Sequence, residues 1–314
     1  MTKKQRILGG LWGAVVGDAL GVPVEFQNRA AVQANPVSGM RGFGTYNQPP
    51  GTWSDDSSMT LCTMENLLTT GFDAEDMGRR FVQWNVAEKW TPWGRVFDIG
   101  ATTAEALHRI RRGAVAAQAG RADEMANGNG SLMRMLPVAL WFTQSPEEEL
   151  LDRVHACSAI THGHHRSKMC CGFFALVVRE LVTGARPEAA FESALRRFLF
   201  HYDTPEWNPQ FLNFQRLLDG KLAQLNESDI ASSGYVVHTL EAALFCLLTT
   251  TSFTDCVLRA VNLGSDTDTT GCVAGGLAGL AYGVSAIPRE WIAALARKGD
   301  LDCLIHEFAD ALKP

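Results

Sequence analysis

Two runs of glycine spaced by four residues constrain this chain more than any other feature. Gly9, Gly13, Gly17 and Gly21 form one stripe near its start, and Gly271, Gly275, Gly279 and Gly283 form another near its end. A spacing of four keeps residues on nearly one face of a helix. Each glycine inside a helix costs about 1 kcal/mol relative to alanine. Repeating that cost along two helices calls for close backbone approach, and the simplest partner for one bare stripe is the other. The alternative is that each stripe packs separately against large side chains.

The rest of the pattern is helical too. Apolar residues recur with helical period over residues 7–20, 59–68, 73–86, 102–110, 132–142, 146–158, 166–181, 187–199, 235–248, 252–262, 270–282 and 288–296. Ser145-Pro146-Glu147 supplies a cap residue followed by proline, a helix-start signal. Strand-like alternation is almost absent. The expected fold class is therefore all-α, a single compact orthogonal multi-helix domain over residues 1–314. Residues 27–50 and 201–229 hold prolines and polar residues and read as irregular surface structure.

Of the 314 residues 46% are hydrophobic, enough for a substantial core. The net charge of −6 argues against nucleic acid or an anionic membrane as a partner. An anionic ligand is still allowed, since it needs only local donors such as helix N-termini. The basic residues 1–6 and the apolar stretch after them resemble a signal peptide, but Asp18 and the glycine spacing favour a core helix. No stretch reaches ~20 apolar residues without a charge, so no membrane span is expected. The eight cysteines include no C-x-x-C pair and sit mostly in apolar helical runs. They read as buried free thiols of a cytoplasmic protein.

Two acidic clusters carry the chemistry. Trp53-Ser54-Asp55-Asp56-Ser57-Ser58 is expected in a loop before the helix at 59–68. Adjacent carboxylates repel, and burying both is costly unless a cation neutralises them. Carboxylates with hydroxyls are hard oxygen ligands suited to magnesium or manganese. Helix capping by Ser54 or Asp55 is the plainer alternative. In the second cluster, Gly264 to Gly271, Asp266 and Asp268 alternate in an expected loop so that both can converge on one point, with Thr269 at the helix entry. Capping explains one residue of each cluster, not the set. Glu25 lies just past the first glycine stripe, and pairing of the stripes would bring it near Asp266 and Asp268.

Two loop-to-helix junctions suit phosphate. Asn127-Gly128-Asn129-Gly130-Ser131-Leu132-Met133-Arg134 is small and flexible before it turns into a helix, and Phe97-Asp98-Ile99-Gly100 leads into another. Thr161-His162-Gly163-His164-His165-Arg166 lacks zinc-site spacing, so His162 reads better as a ligand contact. Tyr235 opens a helix where an aromatic ring could stack on a base.

In chain order, G-D-A-x-G-x-x-x-E, S-D-D-S, G-N-G-S-L-M-R, T-H and G-S-D-T-D-T resemble the motifs of the ADP-ribosylglycohydrolases, most closely the dinitrogenase reductase-activating glycohydrolase branch. The resemblance spans nearly the whole chain. It implies the all-α fold of that family and two Mg2+ or Mn2+ ions. It also implies Ser54, Asp55, Asp56, Asp266, Asp268 and Thr269 as metal ligands and Glu25 as a mobile carboxylate near metals and substrate. Gly128, Asn129, Gly130, Ser131 and Met133 match the diphosphate loop, and Gly100 sits at the second junction. His162 and Tyr235 fall on the adenosine side, with Tyr235 against the adenine. Asp98 matches the acid directed at a guanidinium leaving group. Serine stands at Ser54 and Ser57 where the family more commonly has threonine, and the ligating oxygen at Ser54 is kept. The expected activity is hydrolysis of the N-glycosidic bond to arginine in an ADP-ribosylated protein, with Glu25, Asp55 and Asp98 catalytic and ADP-ribose released. The alternatives are serine-, nucleic-acid- or small-molecule-linked ADP-ribose as substrate, or a non-catalytic ADP-ribose-binding member of the fold.

Overall fold

The helices Lys3–Gly21 and Thr267–Tyr282 carry the two glycine stripes, and in the computed structural model, which describes residues 1–312, the stripes face each other. A Cβ on Gly13 would lie 2.2 Å from the Gly275 carbonyl oxygen, and one on Gly17 would lie 1.9 Å from that of Gly271. Both distances are far inside van der Waals contact, so only glycine permits this approach. Mutual packing is thus the arrangement adopted. The dense backbone contact offsets the propensity cost of the glycines.

The first of these helices opens with a capping box. The Thr2 side chain accepts from the Gln5 backbone N–H, and the Gln5 side chain accepts from the Thr2 N–H. By length and composition the segment Lys3–Val24 could cross a membrane, which the sequence reading did not anticipate. Its apolar window is wholly buried within the protein. A helix that is apolar all round belongs at the centre of a core, and here it is part of one continuous buried cluster reaching from Ile7 to Ala309.

Fifteen α-helices and seven short 3-10 turns account for the regular structure of the described residues, which contain no strand and only isolated bridges such as Gly128–Tyr235. The all-α expectation holds. The helix expected over residues 132–142 is only Leu136–Trp141, because the chain winds through tight turns from Asn129 to Met135. A helix not expected, Lys298–Ala311, buries Leu301, Leu304, Ile305 and Phe308 at helical spacing. Within the irregular stretches lie two short helices, Arg29–Ala34 and Gln215–Leu218. All eight cysteines are unpaired, and every one except Cys303 is buried.

Candidate functional site

Three helices begin around one cavity: Asp55–Thr70, Ala101–Arg111 and Thr267–Tyr282. Their N-termini bring partial positive charge to the same place, which favours anions there. The acidic residues sit at these ends rather than in preceding loops, a correction to the sequence reading. Asp55 and Asp56 form the first turn of their helix, and Asp268 lies in the first turn of its own.

Capping does not account for these acids. Ser54 Oγ caps Asp55–Thr70 by accepting from the Asp56 N–H at 3.3 Å, and it donates to Asp56 Oδ2 at 3.0 Å. That leaves the carboxylates of Asp55 and Asp56 free of the capping role. Asp266 occupies the cap position of Thr267–Tyr282, yet its side chain makes no capping bond. It accepts from Asn129 Nδ2 at 2.9 Å instead.

The clusters converge. Thr269 Oγ1 donates to Asp56 Oδ2 at 3.3 Å. Asp18, Asp56 and Asp268 each offer a carboxylate oxygen within 4.8 Å of the others, as do Glu25, Asp98 and Asp268. Asp268 therefore belongs to both groups. Glu25 is held in place by its loop. Phe26 N–H donates to Ser265 O and Ser265 N–H donates to Gln27 O, both at 2.7 Å. Phe26 and Ser265 both take positive φ, of 64° and 66°, a strained conformation for residues other than glycine. This clamp ties Glu25 to the segment that delivers Asp266.

Asp18 escaped the sequence reading of the site. It is fully buried and accepts backbone N–H bonds from Ser54 (2.9 Å) and Ser57 (3.0 Å), plus the Ser57 hydroxyl. It thereby anchors the start of Asp55–Thr70 to the first glycine helix. The available signal was a lone aspartate inside an otherwise apolar run.

So many buried carboxylates depart from ordinary acidity. Burial first, and then the charge of Asp98, push Glu25 up to about 8. Burial raises Asp18 to about 6 against the hydrogen bonds from Ser57 and Ser54. Asp55, Asp56 and Asp268 are held well above the usual carboxylate range by burial, with further contributions from Asp98, Asp18 and Glu25 respectively. Burial also raises Asp98 and Asp266. Among the described residues no Lys, Arg or His side chain lies in ion-pair contact with this group, and Arg134 reaches Asp55 only through longer-range Coulombic attraction. Buried oxygens of Glu25 (Oε2), Asp56 (Oδ1) and Asp266 (Oδ1) have no hydrogen-bond partner among the described residues. Unpartnered buried carboxylate oxygens from several segments, with the Ser54 and Thr269 hydroxyls beside them, fit hard divalent cations such as Mg2+ or Mn2+.

The cavity above them has a volume of about 290 Å³. Glu25, Asp55, Asp98, Asp266 and Thr269 contribute to its acidic side. Gly100, Gly128, Asn129, Gly130, Met133 and His162 line it too. Asn129 N–H donates to Gly234 O at 3.0 Å, which fixes the 127–130 loop against the start of the helix Val236–Leu248. Two predicted contacts lie outside this wall. Ser131 is fully buried behind the loop, its hydroxyl between Ser158 and Cys171. Tyr235 is half-buried next to Gly234, under the Arg166 guanidinium at 5.7 Å and edge-on to His238.

The sequence pattern of the family described as ADP-ribosylglycohydrolase matches residues 1–314. The chain is 33% identical to the ADP-ribosylarginine hydrolase Tri1 of Pseudomonas putida (strain GB-1), over 97% of this chain and 78% of the relative. It is 32% identical to the ADP-ribosyl-[dinitrogen reductase] glycohydrolase of Rhodospirillum rubrum, over 98% of this chain and 95% of that one. A solved structure, described as an ADP-ribosylglycohydrolase-related protein complex, superposes with a TM-score of 0.83 at 32% identity and 99% coverage of both chains.

Proposed function

Because this chain belongs to the ADP-ribosylglycohydrolase family, a family of hydrolases, we propose that it cleaves the N-glycosidic bond between ADP-ribose and an arginine side chain of a modified protein, with divalent cations held by the buried acids. The observation that carries this reading is the convergence of Asp55, Asp56, Asp266, Asp268 and Thr269 beside Glu25 and Asp98 at one cavity. The relatives named for arginine-linked ADP-ribose support the choice of linkage.

In this reading Ser54, Asp55, Asp56, Asp266, Asp268 and Thr269 would hold two Mg2+ or Mn2+ ions. Bound cations would supply Lewis-acid polarisation of water and of the ribose hydroxyls. The chain's own residues do the rest. The loop at Gly128–Gly130 receives the diphosphate, and His162 and Tyr235 flank the adenosine. Water attacks the anomeric carbon as the carbon–nitrogen bond breaks, through an oxocarbenium-like transition state. Glu25 accepts the water's proton. The arginine leaves as neutral guanidine, receives the proton that Glu25 took from the water, which returns Glu25 to its carboxylate, and pairs with the Asp98 carboxylate as guanidinium. The products are ADP-ribose and unmodified arginine.

The test is to incubate the protein with arginine-, serine- and nucleobase-linked ADP-ribose, with and without Mg2+ or Mn2+, and to measure ADP-ribose release. Metal-dependent release from arginine alone is expected. Faster release from serine or nucleobase moves the substrate assignment. Binding of ADP-ribose with no release from any of the three marks a non-catalytic binder.

A further inference from the structure

Arg134 is fully buried, and its hydrogen bonds all go to neutral oxygens: the Gly130 carbonyl, the Cys157 carbonyl at 3.2 Å and the Thr161 hydroxyl at 2.8 Å. Its guanidinium lies 4.7 Å from the centre of the Phe81 ring. Burying a cation with only neutral partners is costly, so the arrangement calls for a use.

The bond to Thr161 has a fixed direction. A guanidinium only donates, so Thr161 Oγ1 accepts. Thr161 is fully buried, and its own proton needs an acceptor. His162 Nδ1 lies 2.8 Å away and is the acceptor that remains among the described residues. A ring nitrogen that accepts carries no hydrogen, so the neutral imidazole bears its hydrogen on Nε2. Burial keeps the ring neutral by pulling its pKa down to about 3.

The rest of the geometry aims Nε2 at the ligand cavity. His162 N–H donates to Ser158 O at 2.7 Å, and His162 O accepts from Ser158 Oγ at 2.9 Å, which fixes the backbone. A Cβ on Gly128 would lie 3.4 Å from His162 Nε2, and one on Gly130 would lie 2.9 Å from Cε1. The two glycines leave that edge of the ring open.

We propose that Arg134 and Thr161 are positioning residues that lock His162 as the Nε2–H tautomer, so that it presents a hydrogen-bond donor to an acceptor oxygen of the ligand beside the Gly128–Gly130 loop. The identity of that ligand rests on the ADP-ribose reading above. The same arginine holds both walls of this subsite, since it also binds the Gly130 carbonyl.

The experiment is nitrogen-15 NMR of the imidazoles, with His162 assigned by the signals lost in His162→Asn, alongside calorimetric titration with ADP-ribose. Wild type is expected to show protonated Nε2 and bare Nδ1. Thr161→Val removes the hydroxyl, so the two tautomers should mix and ADP-ribose should bind ~10-fold more weakly. Thr161→Ser should retain the wild-type tautomer and affinity. A protonated Nδ1 in the wild type, or an unchanged tautomer in Thr161→Val, overturns the relay. Should Thr161→Val fail to fold, the wild-type tautomer alone decides. The expected tautomer without ADP-ribose binding by the wild type would overturn the functional reading and leave the relay standing.

Discussion

Thr269 Oγ1 donates a hydrogen bond to Asp56 Oδ2 across 3.3 Å, joining positions 213 residues apart in the chain. One hydroxyl at the start of Thr267–Tyr282 thus meets a carboxylate at the start of Asp55–Thr70. The two acidic clusters form one electrostatic unit, and disturbing either should be felt by the other.

Asp268→Ala should abolish the thermal stabilisation conferred by Mg2+ or Mn2+, although Asp55 and Asp56 remain. Asp268 contributes to both groups of converging carboxylates, and a cation that binds only the folded state stabilises it by mass action. A thermal shift with and without metal checks this. A full wild-type shift in the variant would mean that the clusters hold no common ion.

Glu25→Gln should lower turnover by roughly 10²–10⁴-fold, the usual scale for losing a general base, and leave the melting temperature of the metal-free protein unchanged or higher. The second half follows from removing a buried acid with an unpartnered oxygen. Steady-state kinetics and calorimetric melting measure the two halves separately. Undiminished turnover would remove Glu25 from the proton-accepting role.

Asp98→Ala should weaken hydrolysis of the arginine linkage and leave ADP-ribose affinity nearly unchanged, since Asp98 is assigned to the leaving group. Asp98 also offers a carboxylate oxygen within 4.8 Å of those of Glu25 and Asp268. A parallel loss of Mg2+ affinity in the variant would instead make it a cation ligand.

Without divalent cations, stability should fall as pH rises from about 5 to 9. Glu25 and Asp18 have folded-state pKa values raised to about 8 and about 6, so the folded state holds more protons than the unfolded one between the two sets of values. Their contribution is fully present below the unfolded pKa and is lost as pH climbs through the folded one. Denaturant melts at several pH values, in chelator, test the sign, and saturating Mg2+ should flatten the slope. A metal-free protein that gains stability over this range would contradict the burial of these acids.

Gly17→Ala should destabilise the protein by about 1–3 kcal/mol or more, the scale of core overpacking, despite the ~1 kcal/mol that alanine gains in helix propensity. The added methyl would sit 1.9 Å from the Gly271 carbonyl. Chemical denaturation reads the difference, and a neutral outcome would show that the helices can separate at little cost.

Helix period and glycine spacing exposed the fold class and its central helix pair, because each depends on local repetition. Lys298–Ala311 was missed although its buried residues keep helical spacing. Only the last part of the Asn129–Met135 turns, residues 132–135, reads as helix from sequence, because Leu132, Met133 and Leu136 mimic its period. The acidic clusters were legible as unusual densities of charge and hydroxyl. Their placement in first helical turns was not, since it depends on Ser54 and Asp266 occupying the cap positions. Asp18 was hidden because its role is exerted on Ser54 and Ser57, far along the chain.

The pairing of the two glycine helices also dictates when this protein can fold. Thr267 Oγ1 reaches the Gly21 carbonyl across 246 residues, so the apolar helix Lys3–Gly21 has no native neighbour along its bare stripe until the distal helix has been synthesised. Contacts of such long sequence separation slow folding, and large chains expose sticky surface while they wait. A chain terminated before residue 267 would carry six of the seven site acids, lacking only Asp268, and a naked glycine face, and should aggregate instead of folding into a smaller working unit.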